Sequence, residues 1–481
     1  MSWVFWSMLL TLAERCLAGA TVVHAVLHRR EVKATLGWVG LIWFTPLFGT
    51  VVYYAFGINR LERRGCRWQR KLEKVLVEVR RRIPAGPREI LQSLQKQHPK
   101  FRQMDELVTR LTASPLLAGN QVESLVTGEA AFSAMLEAIE QARHTIALQS
   151  YIFDNDRAGQ LFIEALERAQ QRGVQIRILI DDVGSRYSRP TSVSILRSRG
   201  IPCETFLPTY NPASTLYSNL RNHRKLLIVD GEVAFTGGMN IREGLRADWK
   251  PKHPIQDLHF KFVGPVVLQL QEVFSVDWCF VTNEILTGDS WFPTPQAVGR
   301  VLCRAIPDGP DEDFEKLKLT ILGALQLAER QVYIITPYFL PDEAIMAALN
   351  VAALRGVRIC ILIPEVNNIL PVQWACQSLL PELIERGCEV FLTPAPFDHT
   401  KLFLVDGDWS LVGSTNWDPR SLRLNFELNV ECYGSELNAE LSEFARVKLS
   451  SATPLLLQDL QRRSFLTRLR DGVARLGSPY L

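Results

Sequence analysis

The strongest constraint on this chain is a segment written twice. NHRKLLIVDGEVAFTGGMN, residues 222–240, and DHTKLFLVDGDWSLVGSTN, residues 398–416, align without a gap. The likeness extends in both directions. Upstream, TIALQSYIFDND and VYIITPYFLPDE are apolar runs that reach Tyr151 and Tyr338, and RGVQIRILID from Arg172 matches RGVRICILIP from Arg355. Downstream, QDLHFKFVG from Gln256 matches FELNVECYG from Phe426 and sets Asp257 opposite Glu427. Such self-similarity means one unit used twice, here at residues 116–285 and 286–452. Buried runs such as LLIVD and CILIP alternate with helical stretches, which predicts an α/β fold whose sheet is covered by helices. Two like units pack around a pseudo-twofold axis, and their special residues then meet at that axis.

Each copy carries His, Lys two positions on, Asp five further, and Asn after a turn. These are His223, Lys225, Asp230 and Asn240 in the first and His399, Lys401, Asp406 and Asn416 in the second. Strand residues two apart share a face, so His and Lys point the same way. Two such pairs brought together repel unless an anion lies between them, and phosphate is the natural occupant. One histidine, neutral, attacks phosphorus, while the other, protonated, releases the alcohol. An unperturbed pKa of about 6.5 supplies both forms around neutral pH. Lys225, Lys401, Asn240 and Asn416 are placed to stabilise charge on the phosphoryl oxygens. Asp257 and Glu427 are candidates to orient a histidine ring through its other nitrogen. Asp230 and Asp406 follow a buried strand and precede Gly, and read either as turn supports or as direct electrostatic help. His24, His28, His98, His144 and His253 read as structural or solvated, and His259, two residues after Asp257 on a strand, is ambiguous with packing favoured.

Composition excludes other classes. The chain of 481 residues has room for about three domains, and its 54 Lys plus Arg barely exceed its 51 Asp plus Glu. No broad basic face for a nucleic-acid duplex is expected from that balance. The nine cysteines stand singly, with no C-x-x-C spacing. Free thiols in a reducing compartment are expected, rather than a zinc site or a disulfide framework.

The N-terminal region reads as membrane-bound. Residues 35–58 run 24 positions without a charge, enough for a span, which needs about 20 apolar residues. Trp38 near one end and Tyr53 and Tyr54 near the other fit interfacial anchors. Residues 3–27 are also apolar but carry Glu14 and Arg15 mid-way; they read as the first arm of a transmembrane hairpin over 1–58 or as an interfacial segment. A secretory signal is disfavoured because MSWVFW lacks a basic start. Arg60 to Arg82 hold ten Lys or Arg and three Glu, which puts the remainder of the chain in the cytoplasm and the cluster itself against anionic lipid. Residues 59–115 are thus expected to be a basic juxtamembrane linker. The tail, 453–481, sets Phe465, Leu469, Val473 and Leu476 at helical spacing among five arginines, for an interfacial helix or one packed on the domain.

At its duplicated motif the chain resembles the phospholipase D superfamily, whose pattern is H-x-K-x4-D-x6-G-S-x-N. HTKLFLVDGDWSLVGSTN from His399 matches every position, and the first copy departs only at Gly238, where Ser is usual. That leaves Ser414 as the hydroxyl of the pair. RNHRKLLIVDG, FTGGMN, STNWDPRSLRLNFELNV, the TLGWVGLIWFTPLFGTVVYYAFG segment and the arginine-rich tail are most similar to the bacterial cardiolipin synthases. The resemblance implies two α/β sandwich repeats, catalytic His223, Lys225, Asp230, His399, Lys401 and Asp406, and supporting Asn240, Asn416, Ser414, Asp257 and Glu427. It implies a phosphatidyl-histidine intermediate, with His223 favoured as nucleophile and His399 as acid and base, and neither metal nor cofactor. The substrates implied are two phosphatidylglycerol molecules giving cardiolipin and glycerol; a hydrolase, or a transferase using another alcohol, is the alternative. A bacterial inner membrane, an anionic lipid surface and no nucleic-acid partner complete the expectation, with the oligomeric state open.

Overall fold

The computed structural model describes residues 2–28, 32–57, 77, 99–208, 220–310, 313 and 315–478. The described strands build one mixed sheet of sixteen strands and a separate two-stranded one, Phe397–Asp398 beside Ile255–Gln256. The middle of the large sheet is a pair of antiparallel neighbours, Leu117–Leu125 and Val301–Asp308. Outward from the first run His259–Val263, Val233–Gly237, Leu226–Val229, Thr145–Ser150, Gln175–Asp181 and Cys203–Phe206. Outward from the second run Asn425–Tyr433, Trp409–Gly413, Leu402–Val405, Gln331–Ile335, Arg358–Pro364 and Glu389–Thr393. The two orders are the same, position for position, so the sequence repeat is a repeat of topology about the central pair.

Local chemistry is repeated with the topology. Helix Arg157–Gln171 starts under Asp156, which accepts from Gly159 N at 2.9 Å; helix Glu343–Leu354 starts under Asp342, which accepts from Ile345 N at 3.0 Å. Such caps satisfy amides that have no partner in the first helical turn. Both helices end at the Arg-Gly-Val signature, where Gly173 and Gly356 take φ of +87° and +89°, a region that glycine enters without a Cβ penalty. Each then feeds a parallel strand. One apolar cluster lies within the first repeat and one mainly within the second, while a third draws Phe260, Phe262 and Leu268 together with Phe426, Leu428 and Val430 from across the chain. Seven of the eight described cysteines are buried, and all eight are free thiols.

Two expectations need correction. First, residues 35–58 are not one straight span: helix Val32–Phe44 breaks at Thr45 and resumes as Pro46–Val52, followed by a π-helical turn, Tyr53–Gly57. Pro46 has no N–H and its ring clashes with the preceding turn. Gly49 lets the second piece fold back, since a Cβ there would lie 2.5 Å from Leu41 O. Trp38 and Tyr53, expected at opposite faces of a bilayer, instead pack edge to face with ring centres 5.5 Å apart. A straight helix would separate their Cα atoms by roughly 22 Å. Arg15 lies over the break and donates to Trp43 O at 3.2 Å. The described helix that is long and apolar enough to cross a membrane is the earlier one, Phe5–His28.

Second, the expected linker contains the helix Pro99–Thr112, whose Phe101, Met104 and Val108 sit in the second repeat's core; the basic stretch from Arg60 to Arg82 lies outside the described residues, apart from Val77. Helix Phe465–Leu476, left open between an interfacial helix and one packed on the domain, has features of both. Arg470 lies 4.5 Å over the Trp374 ring and pairs with buried Asp471 at 2.7 Å, whereas Phe465, Leu466, Leu469, Val473 and Leu476 face outward.

Candidate active site

The extended chain 221–229 carries one half of the site and 397–405 the other, and each is tied to the opposite repeat. Arg221–Asn222 pairs in parallel with Asn425–Phe426, and His223 N donates to Phe426 O at 2.9 Å. In mirror fashion Phe397–Asp398 pairs with Ile255–Gln256, and His399 N donates to Gln256 O at 2.7 Å. These two crossings bring the histidines of both repeats to the axis.

The carboxylates cross as well. Nδ1 of His223 lies 3.0 and 3.1 Å from the two oxygens of Glu427, and Nδ1 of His399 lies 2.7 Å from Asp257 Oδ2. Each repeat therefore holds the histidine of the other. With Nδ1 engaged in this way, Nε2 is the ring nitrogen left to face a substrate. Glu427 also accepts from Ser414 Oγ and, at 3.1 Å, from Asn425 Nδ2. At the matching place in the first copy a serine has no room: a Cβ on Gly238 would lie 2.2 Å from Asp257 Oδ1. The departure from the motif is thus a steric fit to the carboxylate that Asp257 presents.

Electrostatically the site waits for an anion. Lys225 and Lys401 are buried; Lys225 Nζ donates to His223 O at 2.7 Å, and Lys401 Nζ lies 2.8 Å from His399 Nδ1. Burial drives the ammonium of Lys225 down to about 7 and that of Lys401 down to about 8. His223 is lowered by burial and held up in part by Glu427; His399 is lowered further, by burial and then by Lys401, Lys225 and His223. Burial lifts Asp257 to about 6. Burial also works against the Glu427 carboxylate, but His223 and Lys225 outweigh it and hold the group below its ordinary range. A bound phosphodiester would reverse the lowering of all four bases, because an opposite charge favours their protonated forms.

Asn240 Oδ1 accepts from Ile152 N at 3.1 Å, and Asn416 Nδ2 donates to Ser421 Oγ at 3.3 Å. Asn416 Oδ1 is buried without a partner among the described residues. His259 is buried beside Asp257, with burial pushing it down to about 4, and sits neutral against Gly237, where a Cβ would lie 2.8 Å from its Nδ1. Asp230 and Asp406 are not brought to the histidines. The four strand residues Leu226–Val229 separate Lys225 from Asp230, five steps and roughly 16 Å along the chain. Asp230, at φ +53°, accepts from the backbone N–H of Arg143, His144 and Thr145 at 2.9, 2.7 and 2.8 Å. Asp406, at φ +57°, does the same for Glu329, Arg330 and Gln331 at 3.0, 2.7 and 2.9 Å, and pairs with Lys100 at 2.6 Å. Both clamp the entry of a neighbouring strand, so of the two sequence readings the geometry matches the turn support.

Two residues named in the sequence only as strand ends do reach the site. Tyr151 and Tyr338 place their rings 5.1 and 6.3 Å from those of His223 and His399. Their matching positions in the two copies were the available signal. Among the described residues no three of His, Cys, Asp or Glu converge to hold a metal ion.

Comparison with known proteins bears on these features. A family model described as "Cardiolipin synthase, PLD-like domain" matches residues 135–248 and 321–448, one segment in each repeat, and "Phospholipase_D-nuclease N-terminal" matches 16–57. Cardiolipin synthase of Geobacillus kaustophilus is 32% identical over 460 residues, covering 95% of this chain and 90% of the relative. That of Staphylococcus aureus strain Mu50 is 30% identical over 459 residues, covering 95% and 93%. Among solved structures, phosphatidylserine synthase of Haemophilus influenzae superposes with a TM-score of 0.62 at 15% identity, over 79% of this chain and all of that one; it shares the fold.

Proposed function

The chain belongs to the cardiolipin synthase family of phospholipase D-like enzymes and is a membrane phosphatidyltransferase, and from that premise we propose that it joins two phosphatidylglycerol molecules into cardiolipin, releasing glycerol. The observation that carries this reading is the crossed pair of carboxylate-held histidines flanked by two buried lysines. Nε2 of His223 attacks phosphorus, the ester bond to the glycerol headgroup breaks, and His399 as imidazolium gives its proton to the departing oxygen. A terminal hydroxyl of the second phosphatidylglycerol then attacks, giving its proton to His399 as the P–N bond breaks. Lys225, Lys401, Asn240 and Asn416 stabilise the phosphoryl oxygens, and Glu427 and Asp257 stabilise the cationic ring of each histidine in turn.

The reading keeps the division expected from the sequence, with a membrane region over 1–58, a basic stretch, repeats over 116–285 and 286–452, and a tail from 453, the helix Pro99–Thr112 belonging to the catalytic body. It places that body on the cytoplasmic face, where the arginines of 60–82 meet anionic lipid. Anchoring at the bilayer surface favours a lipid hydroxyl over water as acceptor.

Purified protein in micelles with phosphatidylglycerol alone should give cardiolipin and glycerol in equal amounts, without CTP or CDP-diacylglycerol and without inhibition by EDTA. Added glycerol should reverse it. Dominant phosphatidic acid, or dependence on CDP-diacylglycerol, would sink the proposal. Mass spectrometry of quenched enzyme should find the adduct on His223; an adduct on His399 alone exchanges the two roles. A reporter fused after Leu481 should work only if it is a cytoplasmic reporter.

A further inference from the structure

The catalytic core obeys the pseudo-twofold axis, but its mouth does not. Moving outward from buried Lys225 along the extended chain, His223 comes next and half-buried Arg221 after it, all three on one face by the two-residue period. The matching series in the second repeat is Lys401, His399 and Phe397. Phe397 completes an aromatic group there: its ring lies 6.0 Å from His399 and 6.4 Å from Tyr338. Where one side of the mouth has this apolar trio, the other has a guanidinium.

A second guanidinium joins it from the opposite repeat. Arg420 O accepts from the backbone of Asn425 at 2.9 Å, and Asn425 is the strand partner of Arg221. Four residues past Asn416, Arg420 corresponds to Gly244 in the first copy; on the other side the guanidinium that Tyr338 feels is that of Arg242, which is paired with Asp154 at 3.2 Å. Burial lowers Arg420, and the next largest influence on it is repulsion from Arg221, ahead of Tyr151, Asp418 and Asp181. Tyr151, whose ring lies 5.1 Å from His223, also feels Arg221, which sets the pair one side chain outward of the reacting histidine. Of the carboxylates nearby, Asp181 attracts Arg221 and Asp418 attracts Arg420, and both also hold backbone amides. Asp181 accepts from Asn222, Val183 and Gly184 N at 2.8, 3.0 and 3.0 Å, and Asp418 from Ser421 N at 2.7 Å.

Joining two phosphatidylglycerols requires two phosphodiester anions in one site. The first lies between the histidines. The second belongs to the acceptor, three carbons from the hydroxyl that reacts, and has to be held near the first against charge repulsion. Resting on the transferase reading above, we propose that Arg221 and Arg420 form a second anion subsite at the mouth, which binds the phosphate of the acceptor lipid while its terminal hydroxyl reaches the phosphatidyl-histidine. Guanidinium forks suit the geometry of a phosphodiester. The subsite explains how an acceptor carrying a phosphate is chosen over a small neutral alcohol.

The test is a competition inside one micelle. Phosphatidylglycerol serves as donor and acceptor, ethanol is the neutral competitor, and the ratio of cardiolipin to phosphatidylethanol is read by chromatography. Arg420→Gln and Arg221→Gln should each lower that ratio by about tenfold or more, the loss expected for a hydrogen bond to a charged group, and Arg420→Lys should keep most of it. Both products come from the same intermediate, so partial loss of folded enzyme cancels in the ratio. If Arg420→Gln does not fold, Arg221→Gln and Arg420→Lys carry the same measurement. A ratio within about twofold of wild type in the glutamine variants would overturn the subsite, as parallel loss is what a structural role gives. Phosphatidylethanol without cardiolipin from the wild-type enzyme would instead overturn the reading that a second phosphatidylglycerol is the acceptor.

Discussion

Glu427→Gln probes the crossed histidine most directly. The carboxylate is fully buried, lies 3.0 Å from His223 Nδ1, and is held ionised by His223 and Lys225. In the proposed mechanism His223 carries a phosphatidyl group on a cationic ring, and a charge pair at that distance interacts by roughly 5 kcal/mol at an effective dielectric of 20. A glutamine oxygen retains part of this as a dipole, leaving a loss of about 3 to 5 kcal/mol. That is roughly a hundred- to several-thousand-fold in kcat. KM should change little, because the cation forms only as the reaction proceeds. A second signature comes from Lys225. Burial has brought its pKa to about 7, and Glu427 is the largest influence holding it up. Without that carboxylate it falls further, and the loss of activity on the alkaline side should begin at lower pH than in wild type. Labelled phosphatidylglycerol in micelles, followed for cardiolipin across pH 5.5 to 9, reads both effects. A variant that keeps more than about a tenth of kcat, or whose defect lies wholly in KM, would show that the contact does not serve catalysis.

Anion binding should weaken as pH rises. Lys225 and Lys401 lose their protons near 7 and 8, so inhibition by sulfate, whose charge is constant here, should weaken by up to about tenfold per pH unit for each lysine that must regain its proton; a flat profile would refute the assignment. Gly238→Ser should lower activity by about tenfold or more by displacing Asp257 from His399, and wild-type rates in that variant would show that the pocket yields. Asp230→Ala should cost about 1 to 3 kcal/mol of stability, read as a lowered denaturation midpoint, by removing the shared acceptor of three backbone amides. Activity per folded molecule should fall less than about threefold, and a loss of orders of magnitude at full folding would return Asp230 to the chemistry.

What was legible in the sequence was whatever the repeat marked twice. The topology, the two His-x-Lys faces and the opposition of Asp257 to Glu427 all rest on like residues at like positions. The partnership of each carboxylate with the histidine of the other copy was not legible, because an ungapped alignment gives equivalence and not which equivalent residues touch. Asp230 and Asp406 stayed open between support and chemistry for a related reason: a repeated polar residue after a strand marks a repeated turn as readily as a repeated active group. The 35–58 segment reads as a span because hydropathy is blind to Pro46 and Gly49, which bend an apolar helix without making it polar. Helix Pro99–Thr112 did leave a trace, in the spacing of Phe101, Met104 and Val108, but the basic surroundings drew the reading toward a linker.

The crossing of carboxylates also explains how one site can be symmetric where it reacts and asymmetric where it selects. A single repeat holds a histidine whose ring partner lies in the other repeat and a carboxylate whose histidine lies there too, so neither half contains an oriented base. Orientation arises only when Arg221–Asn222 pairs with Asn425–Phe426 and Phe397–Asp398 with Ile255–Gln256. Those short pairings end at the mouth, and the residues at their outer ends, Arg221 and Phe397, differ in charge although they are equivalent in the repeat. Substitution there alters what the mouth attracts without moving His223 or His399, which are fixed from beneath by Glu427 and Asp257. Chemistry that needs two like histidines is in this way compatible with two lipids in unlike roles, one giving its phosphatidyl group and one receiving it on the proposed reaction.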